Sequence, residues 1–306
     1  GSTTHYFGND HWRKHTLPMK SLNDARKIRN LILTAFEEAE KIEDPVKKEK
    51  LLTFTIIGGG PTGVELAGSL AEMCKHTMTK DFKNIKTKDA KVILIEKSKR
   101  ILATYDSKLS KKAQQFLEKL GVQVLVDESV EDIKEGLVIT SKTSISSSTI
   151  IWSAGIKPSD IGIKSNLATN KSGKILVNDN LLVKGTTNIF AGGDIAYIEN
   201  NDMPLPAIAP VAMQEGIYIG KYIKALVEGK KLSKFKYKNK GLMATIGRNK
   251  AVAQVKKFKF AGFGAWLTWI FVHIYYLTGF KNKLVVLFGW AWSYITYKKG
   301  TRIILK

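Results

Sequence analysis

Gly58, Gly60 and Gly63 lie in the stretch FTIIGGGPTGVELAGSL, Phe54 to Leu70, at the spacing of a dinucleotide turn. In a G-x-G-x-x-G turn the first glycine allows the tight bend and the second lets the backbone approach a pyrophosphate. The third lets the following helix pack on the preceding strand. Gly59, Pro61 and Thr62 complete the loop. Apolar Phe54, Ile56 and Ile57 predict a buried strand before it, and Val64, Leu66, Ala67 and Leu70 have helical spacing after it. The N-terminus of that helix offers unpaired N–H groups and partial positive charge to phosphates. Strand, turn and helix together predict a dinucleotide site; the competing reading is a glycine-rich turn with a structural role only.

The identity of the nucleotide is read further on. Lys91 to Glu96, KVILIE, is an apolar run ending in an acid. In a Rossmann unit that acid hydrogen-bonds the ribose 2′-OH and repels a 2′-phosphate, so Glu96 favours NADH over NADPH. Its spacing from the turn is longer than usual, which makes Lys75 to Ala90 a helix extension plus loop. Glu96 also reads as a solvated strand end, and the neighbouring Lys97, Lys99 and Arg100 leave room for NADPH.

These residues need a frame. Ser21 to Ile42 reads as a helix capped by Ser21 with Asp24 three residues on, apolar along Leu22, Ala25, Ile28, Ala35, Phe36 and Ala39, and ended by Asp44-Pro45. A nucleotide-binding unit runs from about Leu52 to Ala154. Within it Ser107 to Leu120 predicts a helix closed by Gly121, Val122 to Val126 a strand, and the alternating Leu137 to Ile151 hairpin strands.

At 306 residues the chain predicts about two domains. The single Cys74 excludes a disulfide framework and a C-x-x-C redox pair within the chain, and the five scattered histidines predict no metal site. The formal net charge is +22, concentrated at one end: Gly229 to Lys306 carries 17 Lys and Arg and no Asp or Glu. Such a patch reads as nucleic acid or anionic membrane surface. Nothing resembles a basic recognition helix or an RNP-type strand, so nucleic acid is not expected.

Ala261 to Phe280 has twenty residues without Asp, Glu, Lys or Arg. As one helix it would be about 30 Å long, the thickness of a bilayer core. Leu284 to Tyr297 is a second uncharged run, too short to span. Trp266, Trp269, Trp290 and Trp292 lie in these runs. Lys256, Lys257 and Lys259 precede them, Lys281 and Lys283 separate them, and Lys298, Lys299 and Arg302 follow. Aromatics and lysines edging apolar runs mark a membrane–water interface. A spanning helix, interfacial helices and a soluble dimer core are the three readings; interfacial helices are favoured, because they keep every lysine on one surface.

GGGPTGVE at Gly58–Glu65, WSAGIKPS at Trp152–Ser159, NIFAGGDIA at Asn188–Ala196 and APVAMQEG at Ala209–Gly216 occur in that order, followed by the Trp-rich basic tail. The set closely resembles type II NADH dehydrogenase, the non-proton-pumping NADH:quinone oxidoreductase of the two-dinucleotide-binding flavoprotein superfamily. The resemblance implies an α/β, Rossmann-like two-dinucleotide-binding-domain fold with an incomplete FAD domain, plus C-terminal amphipathic membrane-associated helices. It implies four segments: 1–50 a remnant of the FAD domain with a connecting helix, 51–155 the NADH-binding domain, 156–235 the C-terminal part of the FAD domain, and 236–306 the membrane-association region.

The same resemblance assigns roles. NADH lies at Gly58, Gly59, Gly60, Pro61, Thr62, Gly63 and Glu96, with Ala154 and Gly155 also at the cofactors. Gly193 and Asp194, after a strand at Ile189 and Phe190, bring a carboxylate to the ribityl chain of FAD; Asp194 also reads as a helix N-cap. Ala209 and Gln214 match the quinone motif, in which Pro210 replaces the first glutamine; Gln214 reads otherwise as a residue that satisfies a helix surface. Glu65 matches a glutamate at the nicotinamide–flavin junction, and reads otherwise as a first-turn carboxylate favoured by the helix dipole. Hydride passes from NADH to flavin, and two electrons go on to a membrane quinone. The enzyme is peripheral on the cytoplasmic face of a bacterial inner membrane, or the mitochondrial equivalent. A homodimer through the C-terminal region is compatible with the resemblance alone.

The superfamily carries two such glycine turns and this chain one, so the resemblance implies that a first half of the FAD domain precedes GSTTHYFGNDHW, and that this chain alone holds FAD poorly. A sulfide:quinone oxidoreductase would need a cysteine pair, and a soluble disulfide-type reductase would not need the apolar basic tail. A nucleotide-binding, membrane-associated module without turnover is the non-enzyme alternative.

Overall fold

The computed structural model describes residues 1–78, 81–198, 204–277 and 279–296. The chain divides into two compact units: Gly1–His5 with Gly155–Lys240, and Tyr6–Ala154 with the chain from Gly241 onward. The segments 1–50 and 236–306 expected from the sequence are thus each divided between the units.

The larger unit is built on a five-stranded parallel sheet. Its strands lie in the order Leu17–Pro18, Thr149–Trp152, Thr53–Ile57, Lys91–Glu96, Val122–Val126. Parallel sheets are covered on both faces and read as continuous apolar runs. Thr53–Ile57 is buried at every position. On one face Phe54, Ile56 and Leu94 pack with Phe36 and Ala39 of the Leu22–Lys41 helix, the rings of Phe36 and Phe54 being 5.4 Å apart. On the other, Ile57, Ile93 and Ile95 pack with Tyr6, Trp12 and Trp152. Each fully buried side chain of this kind contributes about 1.5–3 kcal/mol.

The Leu22–Lys41 helix starts as expected. The Ser21 hydroxyl accepts the Asp24 N–H at 3.1 Å, and the Asp24 carboxylate accepts the Ser21 N–H at 2.7 Å. Asp44 and Pro45 begin a second short helix, Pro45–Leu51, which Asp44 caps. The Ser107–Lys119 helix ends at Gly121, whose φ is +82°. Lys75 to Ala90 holds the end of a π-helical turn over Met73–Thr77 and a 3-10 turn over Thr87–Asp89.

The tail departs from one expectation. Ala261 to Phe280 is not one helix. Phe258–Gly262 is the edge strand of an antiparallel sheet with Leu242–Thr245 and Ala251–Val255. Helix begins only at Phe263 and stops at Tyr276, 14 residues, about 21 Å at 1.5 Å per residue. The next helix is Phe280–Thr296. No helix among the described residues is long and apolar enough to cross a membrane. Tyr297, Lys298, Lys299 and Arg302 lie outside the described residues.

The smaller unit is built from short pieces. Ser2–Thr4 pairs antiparallel with Ile156–Pro158, and Ile175–Val177 pairs parallel with Ala196–Ile198. A 19-residue helix, Ala209–Val227, packs Tyr218 and Ile219 against a core of Ile175, Val177, Leu181 and Ala191. Ile189 and Phe190 form no strand of their own; Phe190 makes an isolated bridge to Leu182. The strand expected before Asp194 is therefore replaced by irregular chain with that one bridge, leading into a 3-10 turn, Gly193–Ile195.

Candidate functional site

In the larger unit the glycine turn runs from the end of Thr53–Ile57 into the Pro61–Glu72 helix. Gly58 has φ +109°, and a Cβ there would lie 2.8 Å from the Ala154 N. A Cβ on Gly63 would lie 1.9 Å from the Gly58 carbonyl oxygen and 2.7 Å from Ser153 Oγ. The helix can approach the strand so closely only with glycine there. Gly60 differs. Its φ is −72°, an ordinary extended value, and a Cβ on it would meet nothing within 4 Å among the described residues. Packing among the described residues does not require that glycine. Pro61 and Thr62 follow, exposed at the helix start.

Glu96 ends its strand half-buried beside the turn. Its Oε2 accepts the Gly59 N–H at 2.7 Å and its Oε1 the Ser98 N–H at 2.7 Å. A carboxylate has about four lone-pair sites, so acceptor capacity for ribose hydroxyls remains.

Glu65 lies in the second helical turn, not the first, so the dipole reading does not describe it. Its Oε1 accepts the Thr245 N–H at 3.1 Å and the Thr245 hydroxyl at 3.4 Å. Burial pushes its carboxyl above the ordinary value; the Thr245 hydrogen bonds and the field of His273 offset part of that. Further along the same face a Cβ on Gly68 would lie 2.7 Å from the Gly247 N, and Glu72 Oε1 accepts the Arg248 N–H at 2.5 Å. Positions 65, 68 and 72 are i, i+3 and i+7, one helical face. That face fastens the turn helix to the 242–248 strand and bend. Glu72 and Thr245 were not singled out from the sequence. Cys74, two residues on, is buried, and burial pushes its thiol up to about 12, which leaves it inert.

In the smaller unit Gly192, Gly193 and Asp194 form the second turn. Gly193 has φ +76°. Asp194 lies inside the 3-10 turn and does not cap it; the cap position is Gly192. The Asp194 carboxylate accepts a hydrogen bond from the Ser2 hydroxyl. Beneath the turn lies the Ala209–Val227 helix: a Cβ on Gly192 would be 3.3 Å from Glu215 Cβ and from Ile219 Cδ1, and one on Gly193 3.4 Å from Ala212 Cβ. Glu215, 2% exposed, accepts the Gly193 N–H at 2.5 Å. Burial raises its carboxyl above the ordinary range, and Asp194 adds to the rise. Ser2 and Glu215 were also missed by sequence reasoning; Glu215 had only the adjacent quinone-motif residues to draw notice.

Ala209 opens the long helix with no side-chain cap. Pro210 sits in its first turn, where a missing N–H costs nothing, which explains locally how proline fits the position. Gln214 is committed elsewhere. Its Nε2 donates to the Pro210 and Lys238 carbonyls, both at 3.1 Å, and its oxygen accepts the Lys238 N–H at 3.0 Å. Both amide donors are used. Gly155, φ +75°, accepts the His5 N–H at 3.3 Å.

The turn residues 58–63, Glu96, Ala154 and Glu65 are thus brought together in one unit, and Gly193, Asp194, Ala209 and Gln214 lie in the other. Residues 13–216 match the family described as pyridine nucleotide-disulphide oxidoreductase. The chain is 37% identical, over 98% of its length, to the type II NADH:quinone oxidoreductase Ndh of Mycobacterium tuberculosis, and spans 66% of that relative. It is 36% identical over 99% of its length to NdhA of the same organism, and spans 67% of it. The chain therefore spans about two thirds of the length of these relatives. The fold matches that of NDH2 from Plasmodium falciparum, solved in complex with NADH, with a TM-score of 0.89 at 19% identity, covering 100% of this chain and 78% of that one. The chain belongs to the pyridine nucleotide-disulphide oxidoreductase family and, within it, to the type II NADH:quinone oxidoreductases.

Proposed function

We propose that the protein to which this chain belongs oxidises NADH and passes two electrons through FAD to a membrane quinone, without pumping protons. The observation that carries the reading is Gly60: an extended, unpacked glycine at the N-cap of a 12-residue helix, where a pyrophosphate would lie against the backbone. The residues fit both cofactors. Glu96 offers acceptor sites to the adenosine ribose of NADH. Asp194, half-buried at a glycine turn, offers a carboxylate to the sugar-chain hydroxyls of FAD. When bound, FAD supplies the acceptor for the NADH hydride and the donor to quinone.

The chain's own residues bind, orient and exclude water. Gly58 and Gly63 hold the turn rigid, and Ala154 backs it. Glu65 holds a half-buried carboxyl beside it, a group for tuning exchange of proton or substrate. Quinone contact at Gln214 requires its amide to give up Lys238 for the quinone carbonyl.

The tail supports docking at a membrane surface. Phe263, Leu267, Phe271 and Tyr275 are exposed at i, i+4, i+8 and i+12, and Leu284, Phe288 and Trp292 repeat the stripe on the next helix. Exposed apolar stripes on helices with flanking lysines suit the plane of a bilayer interface. The location that follows is peripheral, on the cytoplasmic face of a bacterial inner membrane or its mitochondrial counterpart. A homodimer through the same region is an alternative use of these stripes.

The test is an absorbance spectrum of the whole protein to which the chain belongs, with FAD, followed by anaerobic NADH. Retained flavin bands that bleach with NADH are expected. NADH binding with no retained flavin would favour a nucleotide-binding module without turnover, and loss of both would overturn the assignment of the two turns.

A further inference from the structure

We propose that Glu215 is the positioning residue of the flavin turn: its carboxyl anchors the Gly193 N–H and so aims Asp194 at the sugar-chain hydroxyls of FAD. The proposal rests on the flavin reading above and deepens it.

The geometry is that of a single fastening. The turn is laid over one helical face, Ala212, Glu215 and Ile219, which are i, i+3 and i+7. Ala212 and Ile219 provide only van der Waals contact. Glu215 provides the only hydrogen bond from that face to the turn among those described, to the N–H immediately before Asp194. Gly193 is held at φ +76°, a conformation that glycine adopts freely and also leaves freely. A residue so permissive does not hold its neighbour's side chain in place; the bond to Glu215 does. Asp194 receives a second constraint from the Ser2 hydroxyl. The two carboxyls therefore divide the work. Glu215, nearly without solvent exposure, faces the backbone of the turn, while Asp194 remains half-buried and able to accept from a ligand.

An acceptor, rather than a charge, is what this role demands. Burial and Asp194 both disfavour the ionised form of Glu215, and Lys174 favours it. A glutamine at the position keeps an acceptor oxygen of nearly the same reach. An alanine removes it and leaves a half-buried N–H without this partner, the costly half of a broken hydrogen bond.

The experiment compares the whole wild-type protein to which the chain belongs with Glu215→Gln and Glu215→Ala, and with Glu215→Asp as a second truncation should the alanine variant not fold. Two readouts are taken: amide exchange of Gly193 by NMR without flavin, and the dissociation constant for added FAD. The expected result is slow Gly193 exchange in wild type and Glu215→Gln, and exchange at least tenfold faster in Glu215→Ala or Glu215→Asp. FAD affinity should fall at least tenfold with the same variants and be largely kept by glutamine. Unchanged exchange and FAD affinity in the truncated variants would overturn the proposal, as would a glutamine variant as defective as alanine. Failure of the whole wild-type protein to take FAD would overturn the flavin reading, and the exchange data would then assign Glu215 to the fold alone.

Discussion

The two glycine turns of this chain use the same residue type for opposite reasons. At Gly58–Gly63 the glycines are demanded by crowding. Backbone and side chain press on them from Ala154, Ser153 and Gly58 itself, and only Gly60 stands clear. At Gly192–Gly193 nothing crowds so closely; the nearest neighbours of an added Cβ are 3.3–3.4 Å away. There φ makes the demand, and one buried carboxyl supplies the hold. A turn built by crowding is rigid in itself. A turn built by φ is only as rigid as its anchor. The two helices beneath share one device nonetheless. Glu65 and Glu72 on one, and Glu215 on the other, take backbone N–H groups at Thr245, Arg248 and Gly193.

Paired substitutions break this comparison most sharply. Gly63→Ala should be the more damaging, because its Cβ would sit 1.9 Å from a carbonyl oxygen of the same turn. Overpacking of this kind costs about 1–3 kcal/mol, occasionally more, and the turn should also lose NADH. Gly193→Ala meets only ordinary contact at Ala212, so its cost is the left-handed backbone alone, about 1–2 kcal/mol. Urea unfolding of both variants checks the order. Equal costs, or a larger cost at Gly193, would mean that crowding does not distinguish the turns.

The first turn was legible in sequence because its glycines follow a known spacing between an apolar strand and a helix. Lys91–Glu96 and Val122–Val126 also read correctly, as apolar runs between polar breaks, and Ser21 with Asp24 read as the helix start it is. The second turn was legible only through resemblance. Its anchor is 22 residues away in sequence, and a glutamate within a helix reads by default as a solvated face. Thr245, the partner of Glu65, is 180 residues away. The tail failed for another reason: a continuous apolar run has no period, so the last two residues of strand Phe258–Gly262 and the helix Phe263–Tyr276 merge into one signal. Gly262, at φ +95°, marks the junction, but isolated glycines do not announce their φ.

Glu65 permits a subtler test of the shared device. Its folded carboxyl is raised above the ordinary 4.5, mainly by burial. A raised folded value means that the native state binds the proton more tightly than the unfolded chain. Stability from this group is then fully present below the unfolded value and is lost as pH rises through the folded one. Glu65→Gln removes the titration and keeps an acceptor for Thr245. Relative to wild type, the variant should therefore gain stability as pH increases from about 4 to 8. Thermal unfolding across that range reads the difference, and a variant that loses ground with rising pH would show that Glu65 is held as a charge.

The smallest effect on the fold is expected at Gly60, and it separates packing from ligand. Serine is a better N-cap than glycine, and the φ of −72° and ψ of −179° at Gly60 are in the region that a capping serine adopts. Gly60→Ser should therefore leave the unfolding midpoint unchanged or slightly raised, since its Cβ meets nothing within 4 Å. The same Cβ would occupy the space in which a pyrophosphate approaches the backbone. NADH affinity, measured by fluorescence titration, should fall at least tenfold, about 1.4 kcal/mol. Intact stability with unchanged NADH binding would place the nucleotide elsewhere, and would leave the glycine at position 60 with no physical reason in this turn.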